Sequence, residues 1–262
     1  MNNNKLNIPD ELTRLQIKEL AEDVRYKYSK KGLSDIFDII SEDAFLIRMP
    51  LKTMEVSGFS TCFQDELVVL LNSNYTLGHE RYSGAHELYH IFYNSDIFKK
   101  EKLLISNAKT DEDTKADIFA AEFLMPEDYV KEVFYKIINV KPNDVLEKHV
   151  IRMNNAFKVS YKAMLKRLLQ LNLCLEDKYN DLVAICSFEN AEKLQALTKK
   201  EGYDIRLITP SREKYIPKEY VEYIKNNYEN NKISYNNMKN CLNFIGLNTE
   251  QFEYEYPKEE EI

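Results

Sequence analysis

His86-Glu87-Leu88-Tyr89-His90 is the stretch on which the reading of this chain turns. In an α-helix, residues four apart stand one turn above each other, with Cβ atoms about 5–6 Å apart. Two imidazoles at that separation can converge on one tetrahedral cation whose nitrogen bonds are about 2.0–2.1 Å. Glu87 is rotated by about 100° from His86 around the helix axis. It would therefore flank such a cation and could take a proton from an attacking water. Leu88, Ile91 and Phe92 form an i, i+3, i+4 apolar stripe that leaves the histidines on a neighbouring face. The competing reading is a pair of histidines that merely close hydrogen bonds inside a helical core.

A tetrahedral centre needs a third protein ligand and an open position. The run from Thr110 to Pro126 reads as a helix with Ile118, Phe119 and Phe123 inward, and with Ala116, Ala120 and Ala121 small enough for another helix to approach. Asp113 and Asp117 lie one turn apart on one face. One carboxylate could hold the cation while the other accepts a hydrogen bond from a ligand histidine's second nitrogen. Thr110 and Asp113 also read as a capping box, a role that competes or coincides with ligation. Spacing favours Asp113 as the third ligand, with Glu112 and Asp117 as competitors.

Outward from the motif, residues 9–31 are expected to be helical, with Leu12, Leu15, Leu20 and Val24 at helical spacing and Gly32 closing the segment. A short helix is expected near residues 36–40. The period then changes. Three strands are expected, Phe45–Met49, Gly58–Phe63 and Glu66–Asn72, the last two joined tightly through Gln64-Asp65. From residue 84 to about 175 the pattern returns to helix. Leu182-Val183-Ala184-Ile185 and Ile205-Arg206-Leu207-Ile208 look strand-like, and helices are expected at about 190–200, 218–228 and 235–244. The fold class is α+β: a small, mostly antiparallel three-stranded sheet packed on a helical core, then a smaller C-terminal α/β or helical region. The domain boundary is placed between residues 178 and 179. Residues from Glu250 onward carry six glutamates against one lysine and are expected to fray.

Composition narrows the classes. With 44% hydrophobic residues the 262-residue chain can bury a real core. Its 36 basic against 43 acidic side chains give a net charge of −7, which disfavours a general nucleic-acid coat. The first ten residues hold no apolar stretch, and the longest aliphatic run, Leu67-Val68-Val69-Leu70-Leu71, is too short to span a bilayer. Cys62, Cys174, Cys186 and Cys241 lie far apart and read as reduced thiols. A cytoplasmic protein is expected.

The block Arg81-Tyr82-Ser83-Gly84-Ala85-His86-Glu87-Leu88-Tyr89-His90, followed by Asp113-Thr114-Lys115-Ala116-Asp117-Ile118-Phe119-Ala120-Ala121-Glu122-Phe123-Leu124-Met125-Pro126, resembles the ImmA/IrrE metallo-endopeptidases. That family shows a pattern close to RFTxAHExxH and then ExxA(N/D)xFAAxLLMP, and the likeness spans roughly residues 10–175. It implies a gluzincin-like metallopeptidase domain over residues 1–178, with zinc on His86, His90 and the acid of the second block. Aligning Ala116-Asp117 with A-(N/D) puts that acid at Asp113, where the family usually has Glu, and makes Asp117 the hydrogen-bond partner of a ligand histidine. Manganese stays open as the alternative ion. Gly84 replaces the usual aliphatic residue and is expected to loosen the start of the helix. By the same resemblance, the substrate is a partner helix-turn-helix repressor of a mobile element or stress response.

Either strand 58–63 or strand 66–72 could pair with an extended substrate. His79, placed in the loop before the helix, and Tyr82 are pocket or transition-state candidates, with Tyr129 also near in sequence; His149 has no evident partner. Residues 141–175 resemble a helix-turn-helix, and residues 141–170 hold seven basic and two acidic side chains, so direct DNA binding is possible but not favoured. The family shows the same stretch as part of its helical body. The leading expectation is a zinc-dependent endopeptidase with Glu87 as base. The alternative is a DNA-binding or antitoxin-like regulator that keeps the metal for structure.

Overall fold

A computed structural model describes residues 9–63, 66–93 and 110–252. They divide into two compact units, parted between Lys214 and Tyr215. The first begins with α1 (Glu11–Ser29), opened by Asp10, whose side chain accepts from the Thr13 N–H at 2.7 Å. Its buried stripe is Ile17, Ala21, Val24 and Tyr28, one residue every turn. Leu12 and Leu15, expected inside, are 65% and 52% exposed. Val24, also expected inside, is buried and Leu20 packs against the same core, so only the first two of the four expected positions lie on the far side of the helix. Gly32 takes the left-handed conformation (φ 74°) that releases the chain toward α2 (Ile36–Asp43).

β1 (Phe45–Met49), β2 (Gly58–Phe63) and β3 (Glu66–Asn72) form one sheet in the order β1-β3-β2. β2 pairs with β3 antiparallel, but β1 pairs with β3 parallel, so the sheet is mixed rather than mostly antiparallel. The reason lies in β3. Its uninterrupted apolar run, Leu67 to Leu71, ends in three buried residues and suits a strand covered on both sides, which makes it central. The expected tight turn at Gln64-Asp65 lies outside the described residues.

α3 (Leu77–Tyr93) packs across this sheet, and α4 (Asp111–Leu124) packs on α3 and α1. α3 starts seven residues before the expected position, so Gly84 sits in its middle, not at its start. There, a Cβ would lie 3.1 Å from Ile40 Cδ1 and 3.4 Å from Leu71 Cδ1. The small residue lets the helix lie close on α2 and β3. Gly78, at the front of α3, is tighter still: a Cβ would come within 2.4 Å of the Ser160 backbone nitrogen.

Beyond α4 come α5 (Glu127–Val133), a π-turn (Phe134–Ile138), α6 (Glu147–Phe157), α7 (Tyr161–Gln170), α8 (Glu176–Val183) and α9 (Ala191–Lys200). Two large clusters lie among the described residues of this unit. One joins α1, α2, the sheet, α3 and α4; the other joins α4 to α9. The strand-like 182–185 is helical, and 205–208 contains a short 3-10 turn. Short apolar runs of four do not distinguish these states. Residue 178 lies inside α8, and Leu182, Ile185 and Leu194 share the core of α6 and α7. The second unit holds α10 (Lys218–Glu229) and α11 (Tyr235–Phe244) around Ile224, Met238 and Leu242. No described helix is long and apolar enough to cross a membrane.

Candidate metal centre

His86 and His90 leave α3 one turn apart, while Ala85, Leu88, Tyr89 and Ile91 bury the adjoining face. Their Nε2 atoms lie 3.4 Å from each other. Asp113, in the first turn of α4, brings its Oδ1 to 3.7 Å from His86 Nε2 and 3.8 Å from His90 Nε2. A tetrahedron with metal–ligand bonds of about 2.0–2.2 Å has edges of about 3.3–3.6 Å. The three donors therefore already span one face of such a site to within a few tenths of an ångström. They form a candidate metal-holding cluster among the described residues, and two imidazoles with one carboxylate are the donor set that zinc takes.

Asp113 stands there because the helix start holds it. Thr110 caps α4 by accepting from the Asp113 N–H at 3.1 Å, and the Thr110 N–H donates to Asp113 Oδ2 at 2.7 Å. The capping box and the site share one carboxylate, Oδ2 serving the helix and Oδ1 facing the histidines. The competitor Glu112 is committed elsewhere: it accepts from Tyr89 Oη at 3.2 Å and from Lys115 Nζ at 2.6 Å. Asp117, one turn on, places Oδ1 3.1 Å from His86 Nδ1. With the proton on Nδ1, the Nε2 lone pair is presented to the site.

The electrostatics of the ion-free cluster follow from this layout. Burial opposes a charge on His86, but the carboxylates of Asp113 and Asp117 outweigh it and push His86 up to about 9. Burial and then the charge on His86 push His90 down to about 4. Asp113 is held well below the usual carboxylate range, first by His86 and then by its Thr110 partners. At neutral pH the ion-free cluster thus carries its positive charge on His86, between the Asp113 and Asp117 carboxylates.

Glu87 is 7% exposed and turned toward the sheet, where Ser60 Oγ donates to its Oε2 at 2.7 Å. Burial raises its pKa against the opposing pull of His86 and Ser60. Ser60 was not singled out in the sequence. The only available signal was its place in a strand beside the motif.

The weaker candidates take other roles. His79 lies in the first turn of α3, not in a preceding loop, and stacks on Tyr75 with centroids 4.3 Å apart. Tyr82 donates its hydroxyl to the Asp117 carbonyl at 2.8 Å, tying α3 to α4. Tyr129 is exposed and meets Phe157 edge-on. His149 Nδ1 accepts from the Leu146 N–H at 3.2 Å and so helps to open α6. The helix-turn-helix-like pair α6–α7 is built into the body: Gly78 of α3 abuts Val159 and Ser160 at its corner, and Arg167 is bound to Glu122 at 2.7 Å and to the Met125 carbonyl at 3.0 Å.

Of the two candidate substrate strands, β3 is paired on both sides, whereas β2 is an edge among the described residues. The Asn72 N–H donates to the Ser57 carbonyl at 2.9 Å. By antiparallel alternation, Phe59 and Thr61 exchange the next bonds with β3, while Gly58, Ser60 and Cys62 turn main-chain groups to the edge that is open among the described residues, the Ser60 N–H also facing the Glu87 carboxylate.

Residues 41–169 match the model of the Peptidase_M78 family, the IrrE N-terminal-like domain. No curated relative matches the chain. The matched span contains every residue of the cluster, Glu87 and the edge strand.

Proposed function

We propose that this protein, whose residues 41–169 match the Peptidase_M78 family model, a metallopeptidase type, is a zinc-dependent endopeptidase acting on a protein substrate in the cytoplasm. The convergence of His86 Nε2, His90 Nε2 and Asp113 Oδ1 beside an enclosed Glu87 carries the reading. A cation held by those three atoms would supply a Lewis acid that makes water a nucleophile near neutral pH and polarises a carbonyl.

The chain's own groups do the rest. Asp117 holds the proton of His86 on Nδ1 and keeps Nε2 free for the cation. Glu87 removes the proton from the attacking water and delivers it to the departing amine. The main-chain groups of Gly58, Ser60 and Cys62 offer hydrogen bonds to an extended peptide, so that it lies along β2 past Glu87. The substrate we propose is a helix-turn-helix repressor, on the resemblance of the two motif blocks to repressor-cleaving relatives. Zinc is preferred over manganese because the donors are two imidazoles and one carboxylate.

The decisive experiment incubates the zinc-loaded protein with the repressor encoded beside its gene, with Glu87→Gln as control. Cleavage by the native chain and loss of at least about a hundredfold in the variant is the expected result. Equal cleavage by both removes Glu87 from the chemistry.

A further inference from the structure

The edge strand carries a group that the chemistry described above does not use. Gly58 and Ser60 are two apart on β2 and so point to the same face of the sheet. That face is the one against α3: a Cβ on Gly58 would lie 3.7 Å from Glu87 Cγ and only 2.8 Å from Leu71 Cδ2. Glycine at 58 therefore leaves room for the Leu71 side chain of β3, while Glu87 lies at ordinary contact distance from the same face. Two residues along that face, Ser60 Oγ stands 2.7 Å from Glu87 Oε2. A carboxylate at the end of two methylenes has several rotamers, and burial alone does not choose among them. A charge-assisted hydrogen bond from a fixed strand does.

We propose that Ser60 is the positioning residue for Glu87, locking the carboxylate through Oε2 so that Oε1 is the atom that exchanges the proton. The same residue lies on the edge strand, with its carbonyl on the edge side and its N–H also facing Glu87, so the strand that would register the substrate also orients the base. A strand sliding by one residue would move both together. The inference rests on the peptidase reading for its catalytic consequence, but the hold on Glu87 is a property of the chain alone.

The test uses the full-length, zinc-loaded chain as native protein, Ser60→Ala, Ser60→Thr and Glu87→Gln. Crystal structures come first. In Ser60→Ala the Glu87 carboxylate is expected to rotate away from its native place, and in Ser60→Thr to keep it. Cobalt(II)-substituted Ser60→Ala should show the native visible spectrum, because the three ligand residues are untouched. Against the neighbouring repressor, Ser60→Ala should lose about ten- to a hundredfold in kcat, with KM within about twofold. Ser60→Thr should recover to within about threefold of native.

An unmoved Glu87 in Ser60→Ala overturns the proposal, whatever the rates. So does a displaced Glu87 with native kcat, a cobalt spectrum altered together with kcat, or equal impairment of the alanine and threonine variants. If the native chain and Glu87→Gln are equally inactive, the peptidase reading falls, and the crystal structures still decide whether Ser60 holds Glu87.

Discussion

The carboxylate of Asp113 is divided between helix and cation site, and the division explains why the shorter acid serves here. Its Oδ2 accepts from the Thr110 backbone at 2.7 Å and from the Thr110 hydroxyl at 2.9 Å, which fixes the side chain with Oδ1 toward the histidines. Thr110→Ala should therefore act at a distance. It should cost about 1 kcal/mol of stability as a lost cap, and about tenfold in zinc affinity with every ligand present. Urea unfolding and chelator competition measure the two effects. An unchanged affinity would show that the cap does not orient the ligand.

The pH dependence of ion binding follows from His86. Its ion-free pKa near 9 means that at pH 7 a cation must displace a proton, while His90, near 4, is already neutral. Apparent affinity should rise about tenfold per pH unit from pH 6 to 8 and level off near 9, with about one proton released per ion at pH 7. Calorimetry in buffers of different ionisation enthalpy counts that proton. A flat affinity across this range would mean that Asp113 and Asp117 do not hold His86 charged. The two histidines and Glu87 were legible because helical spacing alone places them. Asp113 was legible only beside its competitors, since nothing local says that Tyr89 and Lys115 occupy Glu112.

Among elements, α3 is set by how closely its neighbours approach. At Gly78 a Cβ would meet only backbone, with Ser160 N at 2.4 Å, Val159 C at 2.5 Å and Ser160 Cα at 2.7 Å. At Gly84 the nearest atom is the tip of a flexible isoleucine at 3.1 Å. Gly78→Ala should cost about 1–3 kcal/mol as overpacking against a corner that cannot give. Gly84→Ala, gaining up to about 1 kcal/mol of helix propensity, should stay within about 1 kcal/mol of native. Paired denaturant curves distinguish them, and similar losses would mean that the α6–α7 corner is no stiffer than a side chain. Strands 45–49, 58–63 and 66–72 were readable from their change of period. The parallel pairing of β1 was not, because a two-residue gap advertises a hairpin while nothing local names the partner of an isolated strand. The early start of α3 was hidden for a similar reason: residues 77–83 carry no apolar stripe, and the turn is held by packing at Gly78.

Across the first unit, a segment more than a hundred residues downstream returns to the entrance of α3. The Leu77 N–H donates to the Thr209 carbonyl at 3.0 Å, the Arg212 N–H to the Ser73 carbonyl at 2.9 Å, and Ser73 Oγ to the Glu213 carbonyl at 2.8 Å. Beneath it lies a buried charge network. Glu80 is fully enclosed, binds Arg48 through two bonds of 2.8 and 3.2 Å, and accepts from Ser211 Oγ at 2.8 Å. Arg48 in turn lies 3.7 Å above the Phe37 ring. In the sequence Glu80 is one more acid near a helix start, and only tertiary closure makes it interior. Its removal should therefore be costly: Glu80→Ala leaves the buried Arg48 guanidinium with only the exposed Glu213 carboxylate, 3.5 Å away, for about 3 kcal/mol. Replacing both charges, Arg48→Met with Glu80→Leu, should recover much of that loss, because neither desolvated ion remains. Urea midpoints of the two single variants and the double variant decide it. If the double variant is as unstable as the sum of the singles, the network is held by shape and the Phe37 stack rather than by paired charge.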